Sequence, residues 1–294
     1  MPNAQPKIYF NQIFIQGRIH NICIAVNGIA NLVANTFMEL NLRLVGKIHN
    51  GTVFLLERFH LLFYTIAMKK TTLIAGKDYP AGTAYSTFAV EAGRNVLITL
   101  PSGIDSDISP LNTETMAWNR PSPISARGAV LKATNAYKTL DEVILIFDAQ
   151  FFAPDYTSNS IEGISHSVDD LILGYSYMAY EAITYFEKQG SGRLVFILKY
   201  APTSANPVRS GLDVRPTSIP LAVAQDAFIA LAENYAARFQ NGNPFQITLV
   251  RADTNSDSEI CTWLFPYLND LQDRKTTDWL KVGTKTGRVF SFLK

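Results

Sequence analysis

Cysteine is scarce here: Cys23 and Cys261 are the only two in 294 residues, and no CxxC occurs. That excludes a disulfide framework and a redox or zinc Cys pair, and it fits a reducing compartment. Histidine is scarce too, with three of the four (His20, His49, His60) in the first 67 residues and His166 alone after them. No HExxH and no His/Cys cluster exists, so a metal centre is not expected. Long apolar runs are also missing. "NICIAVNGIANLVANTF" is broken by Asn, and "VFLLERFHLLFYTIA" by Glu57, Arg58 and His60. Neither reaches the roughly 18 to 20 clean apolar residues of a membrane span, and neither follows a signal-peptide plan. The net charge of +1 arises without a clustered basic face, which argues against a nucleic-acid partner. The expectation is a cytoplasmic protein that binds neither nucleic acid nor membrane.

What is present is core-forming material. At 47% hydrophobic and 17% charged, the chain is globular in composition and long enough to bury a full core. Its composition changes at "MKKTTLIAG". Before this seam, eight Asn are scattered among Ile, Leu and Phe with no steady period, and five Lys/Arg stand against two acids. After it, strand and helix patterns alternate. Residues 1–67 are read as a poorly patterned extension, translated upstream of a chain that starts at Met68. The alternative is an added helical arm.

From Met68 on, "TTLIAG" is a short apolar strand. The helix after Gly82 carries Tyr85, Phe88, Ala89 and Ala92 and stops at Gly93, a residue suited to a left-handed cap. "NVLITL" is a buried strand, and residues 103–127, rich in Ser, Pro, Asn and Asp, read as loop. "GAVLKATNAYKTL" predicts a helix, "DEVILIFDA" a strand, "VDDLILGYSYMAYEAITYFEKQG" a long helix and "GRLVFILKY" another strand. After a loop from Ala201, "PLAVAQDAFIALAENYAARF" predicts a helix with Pro220 in its first turn. "PFQITLVRAD" and "GRVFSFL" complete the strands. This alternation predicts an α/β domain over 68–294: a Rossmann-like, doubly wound, mainly parallel sheet with helices on both faces.

The order and spacing of "GKDYPAGTA", "FDAQ", "GSGRLVFI", "AQDAFIALAENYAARF" and "KTGRVFSF" resemble the short-chain dehydrogenase/reductase family across residues 68–294. The resemblance implies a dinucleotide turn at Gly76, Lys77 and Gly82, with Asp148 and Ala149 where that family has its Asn-Ala pair, and NAD or NADP as the cofactor if any binds. It also implies that the helices 168–188 and 220–239 pair across a homodimer or hetero-oligomer.

The functional positions depart from the family pattern. Pro80 stands at the second glycine and removes an N–H. No carboxylate closes the second strand, which ends Thr99, Leu100, Pro101, Ser102. The YxxxK positions, where a lysine lowers the phenol pKa for proton transfer, hold Leu221 and Gln225. No tyrosine in the chain has a lysine four residues on. The family serine falls near Lys199 and Tyr200, the helix Asn near Gly174 or Tyr175, and the Pro-Gly becomes Arg251, Ala252, Asp253. No catalytic residue is assigned. Lys199, Tyr200 and Asp148 form a candidate pocket at the sheet's C-terminal edge, with Arg209 and Arg215 in the adjoining loop. The expected function is a non-catalytic binding or assembly module with weak or no dinucleotide binding. The alternative is a divergent NAD(P)-dependent oxidoreductase with a non-standard site.

Overall fold

The computed structural model describes residues 69–104, 112–199, 218–239, 242–270 and 277–283. The extension before Met68, the loop bearing Tyr200, Arg209 and Arg215, and the closing strand expected at 287–293 lie outside the described residues.

Among the described residues the strands are β1 (Thr71–Ala75), β2 (Asn95–Pro101), β3 (Thr113–Trp118), β4 (Glu142–Asp148), β5 (Gly192–Lys199), β6 (Phe245–Ala252) and β7 (Leu280–Lys281). They form one sheet in the order β3-β2-β1-β4-β5-β6-β7, and every pairing is parallel. The helices are α1 (Thr83–Glu91), α2 (Pro123–Tyr137), α3 (Ala149–Phe152), α4 (Ile161–Ser167), α5 (Gly174–Gln189), α6 (Ile219–Arg238) and α7 (Asp257–Asn269). A π-helical segment, Val168–Leu173, joins α4 to α5.

Both faces of the sheet are buried, and the period-2 alternation of strands divides the core. Leu73, Leu97, Leu145, Phe147 and Phe196 pack with Ala129, Tyr175, Met178 and Phe228 of α2, α5 and α6. Their neighbours Ile74, Ile98, Ile144, Ile146 and Val195 pack with Tyr85, Leu264 and Phe265 of α1 and α7. Strand order reverses between β1 and β4, so the crevice at their C-terminal ends is the switch point of this fold.

Several sequence expectations need correction. The loop expected over 103–127 contains β3 and the start of α2. β3 is the outermost strand on its side of the sheet among the described residues, a place where the polar Thr113, Glu114 and Thr115 are tolerated. α2 begins at Pro123, with the Ser122 hydroxyl accepting from the Ser125 N–H, and Pro123 in the first turn loses no helical bond. The long helix expected at Val168 starts instead at Ile161, capped by Ser160, and crosses the π-helical turn before α5. Helix α7 was not anticipated at all.

Candidate functional site

The C-terminal edge of the sheet at the switch point is occupied by the protein's own charged side chains. Lys77, in the turn after β1, places Nζ 2.7 Å from Asp148 Oδ2 and 2.6 Å from Asp257 Oδ2. Lys199, the last residue of β5, places Nζ 2.7 Å from the same Asp148 oxygen and 2.8 Å from Asp257 Oδ1. It also donates to the Asn255 carbonyl at 3.3 Å. Two ammonium groups and two carboxylates thus alternate around a closed square.

Each corner is fixed by its element. Asp148 Oδ1 accepts from the Gln150 and Phe151 N–H groups at 3.2 Å, capping α3, and Oδ2 is left for the lysines. Asp257 opens α7, where a carboxylate suits the positive end of the helix, and it accepts from the Tyr85 hydroxyl at 3.3 Å. Burial works against charge on Asp148, yet Lys199 and Lys77 hold its carboxyl below the ordinary range. Burial likewise opposes the Lys77 ammonium, but Asp148 and Asp257 outweigh it and raise its pKa. Burial, with Asp257 next, pushes the Tyr85 phenol well up, so it stays a neutral donor. The Cys261 thiol is raised too, by burial and then by Asp257.

The turn itself is clamped from the other side. Asp78 accepts from the Thr99 hydroxyl and, at 2.8 Å, from Arg120 Nη2, which also donates to the Gly76 carbonyl at 2.7 Å. Tyr79 N–H bonds to Thr99 O, Gly82 N–H to Asp78 O and Thr83 N–H to Pro80 O. Three of the turn's backbone donors are thus spent within the protein, those of Gly82 and Thr83 on the turn's own carbonyls and that of Tyr79 on β2, and these three are not left to face a phosphate at the helix start. The two glycines serve close packing. A Cβ on Gly76 would collide with the Ile146 carbonyl and lie 2.6 Å from the Tyr175 hydroxyl; one on Gly82 would collide with the Lys77 carbonyl.

Of the residues singled out from the sequence, Lys77, Asp148 and Lys199 come together, Gly76 and Gly82 shape the turn, and Ala149 is a buried first residue of α3. Leu221 and Gln225 are both buried in α6, Leu221 within the core on the α2, α5 and α6 side. Gly174 packs against Arg120, whose Cβ would lie 3.0 Å from an added one, and Tyr175 donates to the Ile146 carbonyl. Asp257, Arg120 and Asp78 were missed. The first had a signal: "SDSE" before the apolar "ICTWLF" is a capping-box start for a helix, and Ser256 Oγ does accept from the Glu259 N–H at 3.2 Å. Among the described residues no three His, Cys, Asp or Glu side chains are grouped to hold a metal, and no helix is long and apolar enough to cross a membrane.

A short-chain dehydrogenase/reductase from Burkholderia phymatum, solved in complex with NAD, matches with a TM-score of 0.53 at 9% identity over 73% of this chain and 89% of that one. The fold is that of the short-chain dehydrogenases. The ligand-free aldohexose dehydrogenase of Thermoplasma acidophilum matches 64% of this chain and 68% of its own, with a TM-score of 0.48 and 15% identity. By sequence, an uncharacterised protein of Treponema pallidum (strain Nichols) is 25% identical over 178 residues, 60% of this chain and 76% of that protein. No family model matches.

Proposed function

We propose that this chain is a non-catalytic short-chain dehydrogenase-like protein that works as a binding or assembly module, with weak or no affinity for dinucleotides. The observation that carries this reading is the square of Lys77, Asp148, Lys199 and Asp257 at the switch point. A pyrophosphate seated there would have to draw Lys77 away from two carboxylates and leave those carboxylates short of a partner, and an uncompensated buried charge is costly. The Tyr79, Gly82 and Thr83 amides bonded within the protein and the buried Leu221 and Gln225 support the same reading, since neither of the last two positions offers a proton to a substrate. A free, buried Cys261 suits a cytoplasmic setting.

Calorimetry with NADH and NADPH tests the proposal. The expected dissociation constant is no tighter than about millimolar, equivalent to roughly 4 kcal/mol. No turnover is expected over a panel of alcohols and ketones, nor after Leu221→Tyr with Gln225→Lys, which would bury a phenol and an ammonium in the helix layer. Micromolar cofactor binding by the unmodified protein would overturn the reading and favour a divergent NAD(P)-dependent oxidoreductase acting through Lys199, Asp148 and Tyr200.

A further inference from the structure

Ile161, at 83%, is the most exposed large apolar side chain among the described residues. Ile164, one turn on along α4, is 47% exposed, and Ile219 at the start of α6 is 68% exposed. These elements are fixed to one another. α4 and the π-helical segment pack along α6, and Tyr156 joins all three. Its carbonyl accepts from the Ser218 hydroxyl that also caps α6, its ring stacks on His166 of α4 at 5.4 Å, and its hydroxyl donates to Asp170 at 2.8 Å. Isoleucines held in water on packed helices are unlike singly scattered apolar residues and mark an interaction surface.

The charge around this surface has one sign. From Ala149 to Leu173 the chain holds four acids, Asp155, Glu162, Asp169 and Asp170, and no Lys or Arg. α6 carries no Lys or Arg before Arg238. Asp155 and Glu162 are exposed. We propose that α4 and the start of α6 form a docking surface for a basic amphipathic helix of another protein. Its apolar side covers Ile161, Ile164 and Ile219, and its Lys or Arg side chains meet Asp155, Glu162 and Asp169. Opposite potentials select such a partner and speed its encounter, and a helix laid across two packed helices is a common mode of peptide recognition. The surface needs no cavity, since the side chains it uses already stand in water. A second copy seated on α4 would set Asp155 and Glu162 against their own kind, and an anionic lipid surface would be repelled in the same way.

The inference rests on the binding or assembly role proposed above and gives it a partner class. Its test contains no dinucleotide, so its failure is distinct from that of the cofactor titration. Two peptides of about 18 residues, long enough to form a helix, are titrated into the full chain by calorimetry: one amphipathic in Leu and Lys, the other with Glu at every Lys. The Leu/Lys peptide is expected to bind at roughly 10–100 μM, more weakly as salt is raised, and the Leu/Glu peptide at least about tenfold more weakly. Ile161→Asn with Ile164→Asn changes only exposed side chains and is expected to weaken the Leu/Lys peptide about tenfold. Leu131→Asn, on α2 and also 47% exposed, should leave its binding unchanged. No binding of the Leu/Lys peptide, equal affinity for both peptides, undiminished binding by the double variant or an equal loss in Leu131→Asn would each overturn the proposal. So would a fall in mass by light scattering in the double variant, which would seat a second copy on α4. Should the double variant fail to fold, Glu162→Lys takes its place, and undiminished Leu/Lys binding by that variant would be equally fatal.

Discussion

Gly76 sits at φ +108° with no room for a side chain against the Ile146 carbonyl, while Gly93 sits at φ +81° in open space. The pair separates backbone conformation from close packing. Gly93→Ala carries only the conformational cost, about 1 kcal/mol. Gly76→Ala adds a backbone collision and is expected to lose at least about 3 kcal/mol in urea unfolding; a loss no larger than that of Gly93→Ala would show that the space at Gly76 is kept for something other than packing. Lys77 is the second decisive residue. Its pKa is raised, so its contribution is complete below its unfolded value and lost as pH rises through the higher folded one. That of Asp148 is lowered, so its contribution holds above its unfolded value and is lost as pH falls through the folded one. Stability from these two groups should therefore be flat between about pH 4 and pH 10 and fall on either side. Lys77→Met leaves two carboxylates to Lys199 and is expected to cost about 3 kcal/mol, the low end for a broken buried pair because the Asp257 side chain is 16% exposed. Adding Asp257→Asn should recover part of that loss, and strictly additive losses would mean the square is not a coupled unit.

At the scale of elements, the strands were legible because β1, β2, β4 and β5 are nearly continuous apolar runs buried on both faces. The polar edge strand β3 and the helix α7 were not. β3 alternates weakly, with burial only at Thr113, Thr115 and Trp118, and α7 carries Pro266 inside it, which reads as a breaker. A polar row at the opposite, N-terminal edge of the sheet was equally hidden, since only strand register assembles it. Thr72, Glu142, Arg193 and Gln246 lie side by side on β1, β4, β5 and β6. Glu142 takes Arg94 at 2.6 Å, Arg193 at 3.6 Å and Lys70 at 3.7 Å, and Arg193 donates to Leu268 O at the end of α7 at 2.9 Å. Burial opposes its charge, but Arg94 holds the carboxyl below the ordinary range. Glu142→Gln removes the one carboxylate that these three cations share. Thermal and urea unfolding should show a loss of about 3–5 kcal/mol; a change under about 1 kcal/mol would mean the row is solvated.

At the scale of the whole molecule, the parallel order and the two-sided core follow from alternating apolar segments, but the closed edge follows from residues far apart in sequence. Lys77 and Asp257 are separated by 180 positions, and nothing local in either announces the other. Assembly belongs to this scale as well. Helix α5 turns Met178, Ala182 and Phe186 to the core and leaves Tyr180 61% exposed, while α6 leaves Ile219 and Val223 open. Tyr177, Tyr185 and Tyr235 are half-buried beside them. Large apolar groups on two helices of one layer suit a self-complementary contact, and a stable dimer needs roughly 1,200–2,000 Å² of buried surface in total. Light scattering at micromolar concentration is expected to give a dimer or larger assembly. Tyr180→Glu places a carboxylate in the middle of the α5 face without touching the core, so it should shift the mass toward monomer while leaving the circular dichroism spectrum unchanged. A monomeric mass for the unmodified protein would remove assembly through α5 and α6, and an unchanged dimer in Tyr180→Glu would move the contact to another face.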